Sequence, residues 1–416
     1  MTEFYEPMLY MSTPDHPNTM GVLVELKEEV DGDILRGVVD DLRVRFPYFY
    51  IRVEAEGNGL ITVDNPLPMT VRNSWKGIDF NAPESDYHLG AWKYLGKRVA
   101  FEISHCLTDG AGVLPYVKSA MYLYLSRKTG LSFDPSSFRL PGQEIPESEI
   151  GNPFKGLDID NAEPPLYLKK HTEDFYRLNK DGRKEPIVTY LRLQEGQLMA
   201  YCRDYDGSPN AFISVLMVRA ARQFDPGNTK PITVTVAIDH KANLGNFDNY
   251  RLFANVIELD FPYNRNLDDL GKSCTITRGQ IFLQAQKENS LFAMRQRKLT
   301  YAKLDQLPLE MKLNVVAKSA GMPRWSLCLS YANSRSFGPL DPHIESVYVL
   351  AEPGVADVGC EISCINHHFF LSVMQTFSSN RFIECLLKEF SSIGIDCEVM
   401  GQEELDLCGI ASYKAK

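Results

Sequence analysis

His105-Cys106-Leu107-Thr108-Asp109-Gly110 is the stretch on which the reading of this 416-residue chain turns. It follows Arg98–Ser104, where Val99, Phe101 and Ile103 share one face in the pattern of a half-buried strand. It precedes Val113, Leu114, Val117, Met121, Tyr124 and Leu125, apolar residues spaced as on a buried helix. One His and one Asp therefore stand together at a strand-to-helix junction. A rigid strand delivers the imidazole to such a place and the turn exposes it, which suits a general base. Gly110 permits a tight turn and close approach of the chain to a substrate. The plainer reading is a buried His beside an Asp that caps the next helix, because Asp is a favoured cap.

The whole chain sets bounds on both readings. Its length suits two or three domains. Hydrophobic residues make up 44%, enough for large cores, and charged residues 24%. The formal net charge of −10 argues against a nucleic-acid-binding surface. No apolar run approaches the roughly 18 residues that a membrane helix needs. The start, Met1-Thr-Glu-Phe-Tyr-Glu-Pro-Met8, lacks the basic and apolar parts of a signal peptide. Nine scattered cysteines, an odd number, fit reduced thiols in a cytoplasmic protein.

Strands and helices interleave without a regular βαβ rhythm, so mixed sheets are expected rather than a doubly wound one. Asp31 is placed to cap a helix that ends before Pro47. Ser208-Pro209 is a strong helix start, a cap followed by proline at the first helical position. A single long helix is expected from Leu267 to about Phe292. The proline-rich stretch 132–165 reads as a crossing loop. The chain is therefore divided into residues 1–175 and 176–416. No glycine-rich dinucleotide fingerprint or P-loop is present.

Transfer of an acyl group to a hydroxyl or amine needs a base for the nucleophile's proton, donors for the oxyanion, and a dry place where the two substrates meet. Histidine is the natural base near neutral pH. At this point the sequence resembles the HxxxDG acyltransferase superfamily, which includes chloramphenicol acetyltransferase, alcohol acetyltransferases, polyketide-associated acyltransferases and condensation domains. The other stretches that carry the likeness occur in order. They are Asp41-Leu-Arg-Val-Arg-Phe-Pro47, Asp239-His-Lys241 where the family commonly has Asp-x-Arg, Phe253-Ala-Asn-Val256, and Ser330-Tyr-Ala-Asn-Ser-Arg-Ser-Phe-Gly338. Ser104 stands where condensation domains usually carry the first of two histidines, which points toward coenzyme A and away from a carrier protein as donor.

The resemblance implies a mixed α/β protein with two chloramphenicol acetyltransferase-like subdomains and a central tunnel. It implies that His105 is the base and that Asp109 supports the turn, with Lys241 or Arg251 as its basic partner. Ser330, Asn333 and Lys241 become candidate contacts to substrate. The implied donor is an acyl-CoA, acetyl-CoA first, and the implied acceptor a small alcohol or amine. No metal, nucleic acid or membrane span is expected, and the chain is expected to be a monomer. A carrier-protein donor acting in trans, or a non-catalytic binding member of the family, are the alternatives.

Other groupings point elsewhere. Cys360, Cys364, His367 and His368 together resemble a zinc set, but a strand ending in a hairpin turn accounts for them. Cys106 beside His105 invites a Cys-His nucleophile, yet strand neighbours face opposite ways. Arg295, Arg297 and Lys298 form either a solvated helix end or a patch for the phosphates of coenzyme A.

Overall fold

The computed structural model describes residues 7–12, 16–152, 154–181, 183, 186–245, 247–320, 322–331 and 336–410. Its strands are β1 (Thr19–Leu26), β2 (Ile51–Glu56), β3 (Gly59–Asp64), β4 (Val71–Asn73), β5 (Gly90–Leu95), β6 (Arg98–Ser104) and β7 (Ile187–Gln194). There follow β8 (Ile232–Asp239), β9 (Ala254–Phe261), β10 (Trp325–Tyr331), β11 (Ile344–Ala351), β12 (Ala356–Ile365), β13 (His368–Gln375) and β14 (Cys397–Glu404).

Two mixed sheets carry the fold. The first runs β11-β1-β6-β5-β4 and the second β14-β7-β13-β12-β10-β8-β9, while β2 and β3 form a separate hairpin. In the first sheet β5 and β6 form a hairpin that turns at Gly96, whose φ of 58° favours glycine. In the second, β10 lies parallel to both β8 and β12, and the other pairs are antiparallel.

Each sheet has its own hydrophobic core. Trp92, Phe101 and Val99 from the first sheet pack with Phe46, Phe49, Tyr116 and Val117. Val234, Leu327, Leu329, Val358 and Ile362 from the second pack with Phe212, Leu216, Phe382 and Leu386. The helices behave as their ends predict. Asp31 accepts the backbone N–H groups of Asp33 and Ile34 to start the helix Gly32–Leu42. Ser208 accepts the N–H of Ala211 to start Pro209–Phe224.

Two segments tie the halves together. β11 lies in sequence between two strands of the second sheet, yet it pairs with β1 at the edge of the first. Near the C-terminus, the N–H of Cys408 donates to Glu102 at 2.8 Å, and Glu102 forms a buried ion pair with Lys93 at 2.6 Å.

One expected element is broken. The long helix is two helices, Leu270–Gln284 and Lys287–Leu304, with a third at Leu309–Ala320. The break at Ala285-Gln286 contains neither Gly nor Pro, the residues that normally announce one.

Candidate active site

The turn after β6 is held from both sides. The N–H of His105 donates to the carbonyl of Asn18, just before β1. The ring Nδ1 of His105 lies 2.8 Å from the carbonyl oxygen of Thr108. A carbonyl only accepts, so Nδ1 carries the proton and Nε2 keeps the lone pair. The ring is partly accessible, while its chain neighbours Ser104, Cys106, Leu107 and Thr108 are buried. The sequence and the local fold thus present one basic nitrogen at the end of a rigid strand. Cys106 points inward, with its Sγ 3.1 Å from the Ser104 hydroxyl, and is fully buried.

Asp109 caps the helix Gly110–Thr129 by accepting the N–H of Gly112 at 2.8 Å. The same oxygen takes the ammonium of Lys241 at 2.8 Å, and the other oxygen takes the N–H of Phe253 at 2.8 Å. The Lys241 and Asp109 side chains are 1% and 5% exposed, so this is a buried ion pair. Of the two basic partners named from sequence, Lys241 makes this contact; Arg251 instead lies over the Tyr250 ring, 5.0 Å from its centroid. Lys241 also figured among the candidate substrate contacts, and its ammonium faces Asp109.

Gly110 opens the helix and is partly accessible. Gly112 carries a stronger requirement. A Cβ there would stand 2.1 Å from the Tyr250 carbonyl oxygen and 2.4 Å from the Thr108 hydroxyl. The Thr108 hydroxyl itself donates to that carbonyl at 2.7 Å. The backbone of residues 249–253 is thus seated directly on the His105–Gly112 turn.

A second buried charge group supports this seat. Glu149 takes both guanidinium nitrogens of Arg45 at 2.7 and 2.8 Å, and Arg139 at 2.9 Å. Burial opposes its ionisation, but Arg45, Tyr48 and Arg139 together hold the carboxyl below its usual range. The carbonyl of Glu149 accepts from the N–H of Tyr250 at 3.1 Å. The Arg45 and Pro47 segment is visible as a sequence pattern, whereas nothing in the proline-rich crossing stretch marks Glu149.

Facing the turn from the second half, Asp239 accepts the N–H of Lys241 at 2.8 Å. His240 beside it is 2% exposed, and among the described residues neither ring nitrogen has a hydrogen-bond partner. Burial, with Arg297 nearby, pushes its pKa down to about 4, so the ring is neutral at pH 7. Ser330 on β10 stands opposite Glu361, its register partner on β12; burial drives that carboxyl up to about 7, and the Ser330 hydroxyl works against the rise. Asn333 lies outside the described residues.

The remaining groupings find structural uses. Arg295 donates to the Ala162 carbonyl at 2.8 Å and Lys298 pairs with Asp160 at 2.7 Å, so both hold the proline-rich crossing stretch. They lie inside the helix Lys287–Leu304 and not at a helix end. Cys360 and Cys364 are buried in β12, and Asn366 and His367 form the turn to β13 with φ of 50° and 61°. Among the described residues no three metal-ligating side chains cluster.

No family model matches the chain, and no curated protein matches it in sequence. Solved structures do match in fold. Polyketide synthase associated protein 5 from Mycobacterium tuberculosis superposes with a TM-score of 0.61 at 14% identity, over 94% of this chain and 97% of that one. The epimerization domain from the third module of tyrocidine synthetase B gives 0.56 at 11% identity, over 92% of each chain. TRI101 of F. sporotrichioides, solved with coenzyme A and T-2, gives 0.57 at 13% identity, over 94% of this chain and 98% of that one. With two mixed sheets, a strand exchanged between them and an HxxxDG turn at their seam, this chain has the two-subdomain fold of the chloramphenicol acetyltransferase-like, condensation-domain superfamily.

Proposed function

We propose that the protein is an acyl-CoA-dependent O- or N-acyltransferase with His105 as its general base. The observation that carries this reading is the 2.8 Å contact from His105 Nδ1 to the Thr108 carbonyl, which leaves Nε2 as the basic nitrogen. Nε2 takes the proton of the acceptor's hydroxyl or amine as its oxygen or nitrogen attacks the thioester carbonyl. The tetrahedral oxyanion then collapses, the C–S bond breaks, and the thiolate leaves with the proton returned by the imidazolium. General-base catalysis of this kind is worth roughly 10²–10⁴-fold.

Asp109 supports this chemistry without taking part in it. Its contacts to Gly112, Lys241 and Phe253 engage both carboxylate oxygens and fix the turn. Coenzyme A is the favoured donor because TRI101, of the same fold, was solved with it. Ser104, where a second histidine would mark a condensation domain, is buried and bonded to Cys106. Acetyl-CoA is the first donor to test.

The experiment is incubation of the purified protein with acetyl-CoA, longer acyl-CoAs and an acyl-loaded carrier protein, each against a panel of alcohols and amines. Mass spectrometry should find an acyl ester or amide and free coenzyme A. A product formed from the loaded carrier and from no acyl-CoA would move the donor to a carrier protein; no product from any donor would remove the acyltransferase reading.

A further inference from the structure

One face of the second sheet is turned toward the first half. Ser363 on β12 hydrogen-bonds the carbonyl of Val347 on β11, which belongs to the first sheet. Glu361 shares that face of β12 by the two-residue period of a strand, while Cys360 and Ile362 fill the core behind it. By register, Ser330 and Cys328 on β10 and Ala237 and Asp239 on β8 lie on the same face.

Along this face Cys328, Ser330, Glu361 and Asp239 keep accessible surface. β10 and β12 are interior strands, and Gly359, Ser363 and Ser372 around Glu361 are buried. The surface that Glu361 exposes therefore opens between the halves and not onto the outside of the protein. Asp239 opens beside the Asp109–Lys241 pair.

By register Glu258 and Asp260 on β9 share this face, and both pair with Lys169; Glu361 and Asp239 also lie on it, and among the described residues no cation forms an ion pair with either. Lys241 is taken by Asp109. Glu361 has only the Ser330 hydroxyl, and Ser372, opposite it on β13, has a buried hydroxyl with no partner. Asp239 has only the Lys241 backbone N–H. Burial raises both carboxyls, and Asp109 adds to the rise at Asp239. Glu361, so placed, is satisfied by a counter-charge brought from outside, while Asp239 is exposed and stands ready to share it.

We propose that this wall recognises an amine-bearing acceptor, with Glu361 and Asp239 as two alternative carboxyl groups for its ammonium group. The two residues lie two strands apart, roughly 10 Å across the sheet. At that separation one ammonium meets one carboxylate or the other, so either can hold one end of a flexible amino alcohol or diamine while the hydroxyl or free amine at the other end reaches His105. The proposal rests on the acyltransferase reading and names the acceptor class for the same site.

The test is equilibrium binding by calorimetry to the intact protein. The probes are 6-aminohexan-1-ol and heptan-1-ol, in which an ammonium replaces a methyl of nearly the same size. The wild type should bind the amino alcohol at least tenfold more tightly. Glu361→Gln and Asp239→Asn should each cut that preference several-fold and leave heptan-1-ol binding unchanged, and the double variant should abolish it. His105→Ala should keep the preference, because binding does not need the base. Failure of coenzyme A release with the preference intact would count against the acyltransferase reading alone. Absence of any preference for the amino alcohol, or a preference that survives in the double variant, would overturn the proposal.

Discussion

Lys241 and Asp109, 132 residues apart in sequence, meet at 2.8 Å across the seam between the two halves. The pair is buried, and its Asp109 directly follows Thr108, whose carbonyl the His105 ring contacts. It joins the turn that presents the imidazole to the segment that follows β8.

Removing one partner leaves the other charge buried and uncompensated. Lys241→Met and Asp109→Ala should each cost about 3–5 kcal/mol of unfolding free energy, read from denaturant curves. Lys241→Arg keeps the charge and should retain more stability than Lys241→Met. Whatever Asp109→Ala protein stays folded should turn over more slowly, since the His105 turn loses its anchor to Phe253.

Gly112→Ala should be at least as damaging as a strongly overpacked core substitution, about 3 kcal/mol or more. Its Cβ would meet a backbone carbonyl at 2.1 Å, and backbone cannot swing away as a flexible side chain can. Gly96→Ala makes a useful contrast: nothing lies within 4 Å of its Cβ, so only the positive φ costs, about 1 kcal/mol.

Much of this neighbourhood was legible in the sequence. The alternation of Val99, Phe101 and Ile103 gave away β6, and helical spacing from Val113 gave away the helix behind the turn. Asp31 and Ser208 announced their helices because capping is local chemistry. The crossing of β11 was not legible. A strand's period says which of its faces is buried, but not which sheet it joins. The helix break at Ala285-Gln286 was hidden because no Gly or Pro marks it. The choice between Lys241 and Arg251 was open for the same reason as β11: it depends on how distant segments pack. Lys298 is exposed, as a solvated helix residue should be, whereas the contact of Arg295 to Ala162 was hidden because the crossing stretch lies more than a hundred residues away.

His240 should contribute to the acid side of the stability profile. Its pKa is about 4 in the folded state against 6.5 for the free group. The unfolded chain therefore binds the proton first, and stability present above pH 6.5 is lost as pH falls toward 4, by about 3 kcal/mol. His240→Leu should flatten that slope. At pH 7 it should change stability by less than about 1 kcal/mol, because neither ring nitrogen has a hydrogen bond to lose. Denaturant titrations at pH 4.5, 5.5 and 7 measure both effects.

Glu361 acts in the opposite direction. Its folded pKa is about 7 against 4.5 for the free group, so the folded state holds the proton longer. The resulting stability is present below pH 4.5 and is lost as pH rises through 7, again by about 3 kcal/mol. Glu361→Gln should therefore stabilise the protein relative to wild type at pH 8 and leave it unchanged near pH 4.5. Melting curves at the two pH values read the difference directly.

The central claim is that His105 is the base for acyl transfer. The most direct measurement compares kcat/KM for coenzyme A release by the wild type and His105→Ala, with acetyl-CoA and an acceptor that the wild type acylates. The account predicts a fall of roughly 10²–10⁴-fold in a variant that melts at the wild-type temperature. A folded His105→Ala protein that releases coenzyme A at the wild-type rate would contradict it.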